Sequence, residues 1–360
     1  MNQFDFESDS DDEFLEQMLR RVRKVKRIRP RPNNFEEWDD EEFVKRFRLT
    51  KLTALLVLDE IRDQLEHATN RNSALPPMNQ LLLALRFYAT GGTLTTAGDF
   101  CGVHKVTAGT VVNRVSAAIA SLRRTYIKMP EGERECHSLQ SDFYRLAAFP
   151  RTIGSLDCTH IRIKSPGGDA PEDFRNRKGY FSMNVQTVCD TKLRIRDIVA
   201  RWPGSSHDST IFNNSVLKAR LERGDFGNSV LVCDSGYAPG LHLLPPLRNP
   251  ATRAQQLYNE SLIRTRNTVE RQYGVWKARF PVLALGIRQK IENVQGVIVA
   301  CAVLHNMAID NNEHQPPLDA EVEDRVRQGI EEGEIQVDRN ENNGAEAVRH
   351  AFIQHFERLL

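Results

Sequence analysis

The hydrophobic pattern divides the chain into two regions. Between Trp38 and about residue 140, apolar residues recur at the spacing of one face of an α-helix. After about residue 145, apolar runs of strand length alternate with helical stretches, which predicts a mixed sheet flanked by helices. The apolar positions of the first predicted helices are Leu52, Leu55, Leu56, Leu58, Ile61 and Leu65, then Leu81, Leu82, Leu85 and Phe87.

The helical region contains a short helix, a turn and a longer helix. Thr95 or Thr96 can cap a helix that ends at Phe100. Gly102 suits a tight turn, and the second helix is expected from about Thr107. This order predicts a helix-turn-helix, although an ordinary helical hairpin packed on the next domain has the same pattern. On DNA, the second helix would present Lys105, Asn113 and Arg114.

Charge is nearly balanced over the chain but unevenly distributed. The 49 Lys and Arg residues and 48 Asp and Glu residues leave a net charge of +1. An acidic stretch at the start is followed by a basic cluster between Arg20 and Arg31, and like-charge blocks seldom fold alone. The cluster fits a nuclear import signal or a phosphate-binding arm, and equally a solvated tether.

Composition and charge together predict five segments. A disordered arm (1–35) precedes a helical domain with the helix-turn-helix (36–140), an α/β domain (141–310), an acidic disordered linker (311–344) and a terminal amphipathic helix (345–360). That last helix is expected to dock or bind a partner through Val348, Phe352, Phe356 and Leu359. No apolar stretch approaches the roughly 20 residues of a membrane span, and the six scattered cysteines indicate free thiols.

Two aspartates are predicted to lie on buried strands. Asp234 directly follows an apolar run typical of a strand buried on both faces, and ligands gather at such strand ends. Asp157 lies inside another β-leaning stretch, where an unpaired carboxylate is costly to bury. A turn explains Asp234 equally well. Cys158 and Cys233 are expected to face away from these aspartates, because side chains alternate along a strand.

Two more carboxylates have strong structural alternatives. Glu270 borders the apolar stripe of a helix, and its alternative role is a surface ion pair with Arg266, four residues earlier. Lys277, about two turns further on, could reach a phosphate. Asp208 opens a helix, so N-capping explains it without a metal. Oxygen ligands without clustered Cys or His favour Mg²⁺ or Mn²⁺, the ions of two-metal phosphodiester hydrolysis.

Four motifs join these candidates. In order and context, GSLDCTHI, GSSHDSTIF, VLVCDSGY and NTVERQYGVWKARFP resemble the catalytic core of PIF/Harbinger DDE transposases, including their domesticated nucleases, over about residues 40–310. The resemblance implies an RNase H-like fold and DNA contacts from Arg175, Arg177 and Lys178 in the basic segment. It implies catalytic roles for Asp157, Asp234 and Glu270, and a divalent cation held by Asp157, Asp208, Asp234 and Glu270.

The resemblance also implies a function and partners. We expect a metal-dependent DNA nuclease that no longer transposes, with a Myb/SANT-like DNA-binding partner and a location in the nucleus as well as the cytoplasm. Two alternatives stay open: a non-catalytic DNA-binding or adaptor protein that keeps the fold, and a transposase that is still mobile. A homo-oligomer is compatible with either. His305, in the motif LHN, is interpreted as a core histidine outside the site.

Overall fold

The computed structural model describes residues 33–66, 74–91, 93–317, 323, 324, 327 and 344–360. The expected arm at 1–35 therefore lies almost wholly outside the described residues, and so does most of the expected linker at 311–344.

Helices make up the described chain up to residue 147. They are α1 (Asp40–Phe47), α2 (Lys51–Leu65), α3 (Pro77–Thr90), α4 (Leu94–Phe100), α5 (Lys105–Ser121), α6 (Arg123–Tyr126) and α7 (Gly132–Ala147). Local sequence explains several of their starts. The side chains of Asp39, Thr50 and Thr93 each accept a hydrogen bond from a backbone N–H in the first turn of α1, α2 and α4.

Five strands form one mixed sheet. They are β1 (Thr152–Arg162), β2 (Ser182–Cys189), β3 (Ile195–Pro203), β4 (Val230–Val232) and β5 (Leu243–Leu244), in the spatial order β3-β2-β1-β4-β5. Strands β1, β2 and β3 pair antiparallel, whereas β4 runs parallel to both β1 and β5. The predicted mixed sheet flanked by helices is therefore confirmed.

The remaining helices cover the sheet and continue the chain. They are α8 (Asp208–Asn213), α9 (Val216–Glu222), α10 (Arg253–Arg279), α11 (Val282–Leu285), α12 (Ile291–Asp310) and α13 (Gly344–Glu357). The long helix α10 begins with a capping box, in which Thr252 and Gln255 satisfy each other's backbone N–H groups. The sequence pattern predicts one helix from about Ser209 to Leu221, but the structure has two helices there, α8 and α9, and Ser215 caps the second.

Helix α12 lies between the helical region and the sheet. It packs against α5 and against β3, and one continuous core includes Phe87, Val112, Ile161 and Trp276. By length and composition α12 could cross a membrane, but most of it is buried in this core. The expected domain boundary at residue 140 falls inside α7, and one hydrophobic core contains residues from both regions. The division into two domains stays a prediction.

The apolar stripe of α2 differs from the prediction. Leu58, Ile61 and Leu65 are buried as expected, whereas Leu52, Leu55 and Leu56 are exposed. Thr53, Ala54 and Val57 take the inward positions instead. The buried face is thus rotated relative to the predicted face, because small residues allow the closest approach to α3 and α5.

Helices α4 and α5 form the short-helix, turn, long-helix unit at the expected place. Thr93 caps α4 instead of Thr95 or Thr96, and the turn contains Gly102 in a left-handed conformation. The guanidinium of Arg114 donates to the backbone carbonyls of Gln64 (2.9 Å) and Glu66 (3.1 Å) at the end of α2. Arg114 thus has a structural role that the sequence did not indicate, and its contact with DNA stays a prediction.

The last helix docks on α10, beside the sheet. Phe352 and Phe356 are buried against Phe149 and Tyr258, in a cluster that also contains β4. Val348 packs at its edge, as expected. Leu359 was expected in the same stripe but follows the end of α13 and is exposed.

Candidate active site

The site lies where strand β4 leaves the side of β1. Strand β4 is short and pairs with β1 only as far as Ser155, so the following residues of β1 are not covered by it. Asp157 lies two residues beyond this pairing and opposite Thr187 of β2. The hydroxyl of Tyr273 in α10 donates to the backbone carbonyl of Asp157 at 2.6 Å and accepts from Thr187 at 3.0 Å. These bonds fix β1, β2 and α10 relative to one another.

Asp234 follows β4 and lies at the same edge. Its Oδ1 atom accepts a hydrogen bond from the backbone N–H of Gly236 at 3.0 Å, so Asp234 does stabilise the turn that follows β4. Burial raises the pKa of Asp234 to about 6, and the negative charge of Asp208 adds to the effect. A residue that only capped a turn would not be placed among other carboxylates.

Asp208 is the first residue of α8, but it does not cap that helix. The N-cap position belongs to His207, and the Asp208 carboxylate accepts from the Asn184 side chain at 2.7 Å. The thiol of Cys158 also hydrogen-bonds to this carboxylate. Burial raises the pKa of Asp208. The capping explanation is therefore wrong, and Asp208 faces the other acidic groups.

Glu270 comes from α10, where Arg266 connects it to the strand residues. Arg266 Nη2 lies 2.5 Å from Glu270 Oε1, and Arg266 Nη1 lies 3.5 Å from Asp157 Oδ2. The ion pair inferred as an alternative role for Glu270 is thus present. Because the same guanidinium also reaches Asp157, this pair is part of the carboxylate cluster and not a separate surface contact.

Electrostatics shows how closely the acidic groups are placed. Burial raises the pKa of Asp157 well above its ordinary value, the charges of Asp234 and Asp208 raise it further, and Arg266 offsets part of the effect. Negative charge is therefore concentrated in a partly dehydrated space, where a divalent cation would relieve it. Four carboxylates and no imidazole ligand fit a hard cation such as Mg²⁺ or Mn²⁺.

The side chains are not yet arranged around a metal position. Within residues 33–66, 74–91, 93–317 and 344–360, no three His, Cys, Asp or Glu side chains form a ready metal-binding group. Arg266 explains this arrangement, since it draws Glu270 and one oxygen of Asp157 toward its own guanidinium. The residues fit the cation in charge and chemistry.

The basic segment before β2 lies beside the site. Arg175, Arg177 and Lys178 are all exposed, and Arg177 Nη2 lies 2.9 Å from His207 Nδ1, next to Asp208. Arg175 forms an ion pair with Glu172, with 2.6 Å between Arg175 Nε and Glu172 Oε2. The predicted contacts of these residues with DNA are compatible with their exposure and stay predictions.

Lys277 does not have the position predicted for it. It is almost fully buried, and its Nζ atom donates to the backbone carbonyl of His160 at 3.4 Å. The apolar side of α10 carries Lys277 into the core next to Trp276, so a direct contact with DNA is wrong for this structure. Helical spacing alone could not show how deeply α10 packs.

Other sequence interpretations can be compared with the structure directly. His305 is fully buried and its Nε2 donates to the Leu193 carbonyl at 2.9 Å, which confirms a core role. Cys233 is buried as expected, whereas Cys158 is only half-buried and reaches Tyr237 at 3.2 Å. The sequence did not reveal Asn184 or Tyr273 as site residues, because their contacts with Asp157 and Asp208 join elements that are far apart in the chain.

The chain resembles known proteins over most of its length. Residues 156–306 match the family described as DDE superfamily endonuclease. The mouse protein "Putative nuclease HARBI1" is 30% identical over 314 residues, which cover 81% of this chain and 89% of the mouse protein. The human protein of the same name is 28% identical over the same shares. The Arabidopsis thaliana "Protein ALP1-like" is 22% identical over 76% of this chain and 71% of its own length.

No solved structure matches the chain. The relatives cover the helical region as well as the sheet, and the family match includes Asp157, Asp208, Asp234 and Glu270. The chain therefore belongs to the PIF/Harbinger family of DDE transposases and is related to the Harbinger-derived nucleases of animals.

Proposed function

We propose that the protein is a divalent-metal-dependent DNA nuclease that hydrolyses phosphodiester bonds and no longer transposes. The observation that carries the proposal is the meeting of Asp157, Asp208, Asp234 and Glu270 at one edge of the sheet, three of them with a raised pKa. Structural carboxylates are normally paired one by one with cations or amides, whereas Asp157, Asp208 and Asp234 are half-buried within electrostatic reach of one another and Glu270 shares the guanidinium of Arg266 with Asp157.

The sheet topology supports an RNase H-like assignment. Three antiparallel strands followed by a parallel β4 beside β1, in the order β3-β2-β1-β4-β5, bring the end of β4 next to the middle of β1. The helix after β5 then crosses the same edge and supplies Glu270. An acidic site formed by two neighbouring strands and a later helix is what this topology makes possible.

Each acidic residue has a distinct part in the proposal. Asp157, Asp234 and Glu270 are the catalytic carboxylates, and these three with Asp208 would hold Mg²⁺ or Mn²⁺. When bound, two such ions supply an activated water and stabilise the leaving oxygen. Tyr273 fixes the backbone of Asp157, and Asn184 orients Asp208 through its amide. Both contacts would keep the carboxylates aligned with the phosphodiester.

The DNA would be held by residues outside the carboxylates. Arg175, Arg177 and Lys178 flank the site and suit a phosphate backbone. The pair α4 and α5 would act as a helix-turn-helix, with Lys105 exposed at the start of the second helix. We also propose a Myb/SANT-like partner and a location in the nucleus and the cytoplasm. The two other functions stay as alternatives: a non-catalytic adaptor and a mobile transposase.

A nicking assay on supercoiled plasmid DNA tests the enzyme proposal. In Mn²⁺, the wild type should nick the plasmid, and Asp157→Ala and Glu270→Ala should each lose about 100-fold or more, since a lost carboxylate weakens the transition-state electrostatics. Asp142→Ala is the matched control, because Asp142 pairs with Arg145 on α7.

Equal activity of all four proteins would show that nicking comes from a contaminant. A wild type without activity, even with the partner protein, that still binds DNA would favour the adaptor.

A further inference from the structure

We infer that Arg266 is an internal counter-ion that holds the acidic site closed and competes with the divalent metal for Asp157 and Glu270. The inference rests on the proposed function, because it concerns the same carboxylates. A set of metal-binding carboxylates does not by itself need such a counter-ion, so the role of Arg266 goes beyond the proposed metal site.

The geometry shows one guanidinium serving two carboxylates from different elements. Arg266 reaches Glu270 within its own helix at 2.5 Å and Asp157 on β1 at 3.5 Å. An ordinary pair of helical residues four apart would involve Glu270 alone. The second contact crosses from α10 to the strand and places positive charge between the two acidic residues.

The electrostatic reach of Arg266 extends further. Its charge also lowers the pKa of Asp234, so the guanidinium acts on three of the four acidic residues. A divalent cation that binds these carboxylates would have to approach this same positive charge. The guanidinium and a divalent metal ion repel each other and therefore cannot both bind these carboxylates. Metal binding requires the guanidinium to move away.

The surroundings allow that movement without disturbing the fold. The backbone of Arg266 is held, since its carbonyl accepts from the Ser155 hydroxyl at 3.3 Å. The side chain is 21% exposed and the Glu270 side chain 36% exposed, so both have room on the solvent side. The space beside Gly274, one turn beyond Glu270, is open: a Cβ atom added to this glycine would have no neighbouring heavy atom within 4 Å. The partial exposure of both side chains gives them a path to solvent.

A direct measurement of Mn²⁺ binding to the full chain tests this role without using activity. By isothermal titration, Arg266→Gln should bind Mn²⁺ about three- to tenfold more tightly than the wild type, because a partly buried ion pair no longer has to break. Arg264→Gln is the matched control: Arg264 is on the same helix, is exposed, and should leave the affinity unchanged.

A second measurement on the wild type guards against misfolding of the variant. In NMR spectra, the Nη protons of Arg266 should exchange faster with solvent when Mg²⁺ saturates the protein than in EDTA, because the metal then binds the carboxylates that Nη1 and Nη2 contact. Unchanged exchange at saturating Mg²⁺ would contradict the inference.

The possible failures are distinguishable. If the wild type and Arg266→Gln bind Mn²⁺ equally, the counter-ion role is wrong and the proposed metal site stands. If neither protein binds Mn²⁺ at millimolar concentration, the inference and the proposed function are both wrong.

Discussion

Asp157 shows how neighbouring groups change the chemistry of a single side chain. The strand, the acidic Asp234, the guanidinium of Arg266 and the hydroxyl of Tyr273 all act on it. Asp157 could be predicted from the sequence as a candidate site residue, since a carboxylate in an apolar strand needs a partner. The identity of those partners could not be predicted from the residues alone, because they come from elements far apart in the chain.

Lys277 illustrates the opposite outcome. Spacing along the helix placed it near Glu270, but the angle at which α10 meets the sheet decides whether a residue seven positions later is exposed. Here it is buried beside His160. Sequence periodicity therefore predicted which residues share a face of α10, but not how far that face penetrates the core.

At the residue scale, His305 should make the protein sensitive to mild acid. Burial lowers the pKa of His305 to about 3, whereas the unfolded chain would protonate it near 6.5. Below pH 6.5 the unfolded state binds more protons, so stability is lost as the pH falls through this window. Between pH 7 and pH 5 the loss should be about 2 kcal/mol.

Urea unfolding at several pH values measures this effect. The stability advantage of the wild type over His305→Gln should shrink by that amount between pH 7 and pH 5. His137→Gln is the control, because His137 is exposed on α7 and pairs only with Glu133. An advantage that stays constant with pH would show that His305 does not carry the acid sensitivity.

At the scale of the elements, long helices and the order of strands and helices followed from the pattern, but their ends and orientations did not. The strand prediction located β1 and β4 correctly. The break between α8 and α9 depends on Ser215, whose hydroxyl caps the second helix and starts it anew. The rotation of α2 depends on neighbours that local periodicity does not include.

A buried ion pair connects three elements and should be important for stability. Arg279 at the end of α10 pairs with Glu313 after α12 at 3.3 Å, and Glu313 accepts from Thr50 at the start of α2 at 2.6 Å. Both charged side chains are at most 4% exposed. Glu313→Gln would leave the buried guanidinium without its counter-charge and should cost about 3 kcal/mol.

Thermal or urea unfolding checks this prediction. Glu41→Gln is the matched control, since Glu41 pairs with Lys45 at 2.8 Å on the surface and should cost under about 0.5 kcal/mol. Similar losses in both variants would mean that burial adds nothing to the Arg279–Glu313 pair.

At the scale of the whole molecule, the net charge of +1 is an average over regions of opposite charge. The acidic site and the basic segment lie side by side, so DNA approaching the carboxylates would meet Arg177 at the same edge. Overall composition could not indicate this arrangement. It depends on β2 and α8 bringing residues 175–178 next to residue 208.

The contribution of Arg177 should be visible in the salt dependence of DNA binding. Arg177→Ala should weaken binding to any duplex sequence and reduce the slope of log Kd against log salt by about 1, because one phosphate contact is lost. Fluorescence anisotropy at several salt concentrations measures this slope. Arg253→Ala is the control, since Arg253 starts α10 about 25 Å along the helix from Glu270. An unchanged slope for Arg177→Ala would remove the segment from the DNA interface.

The docked helix α13 has a consequence for how the protein is made. Phe352 closes the cluster around Phe149, Val230 and Val232, yet it is synthesised about 200 residues after Phe149. At ribosomal speeds of roughly 5–20 residues per second, that interval is on the order of 10 to 40 seconds. Until then Tyr258 and Leu262 of α10 can already pack beside β4, but Phe352 and Phe356 are missing from the cluster. The core on this side of the sheet is therefore completed only after α13 has been synthesised.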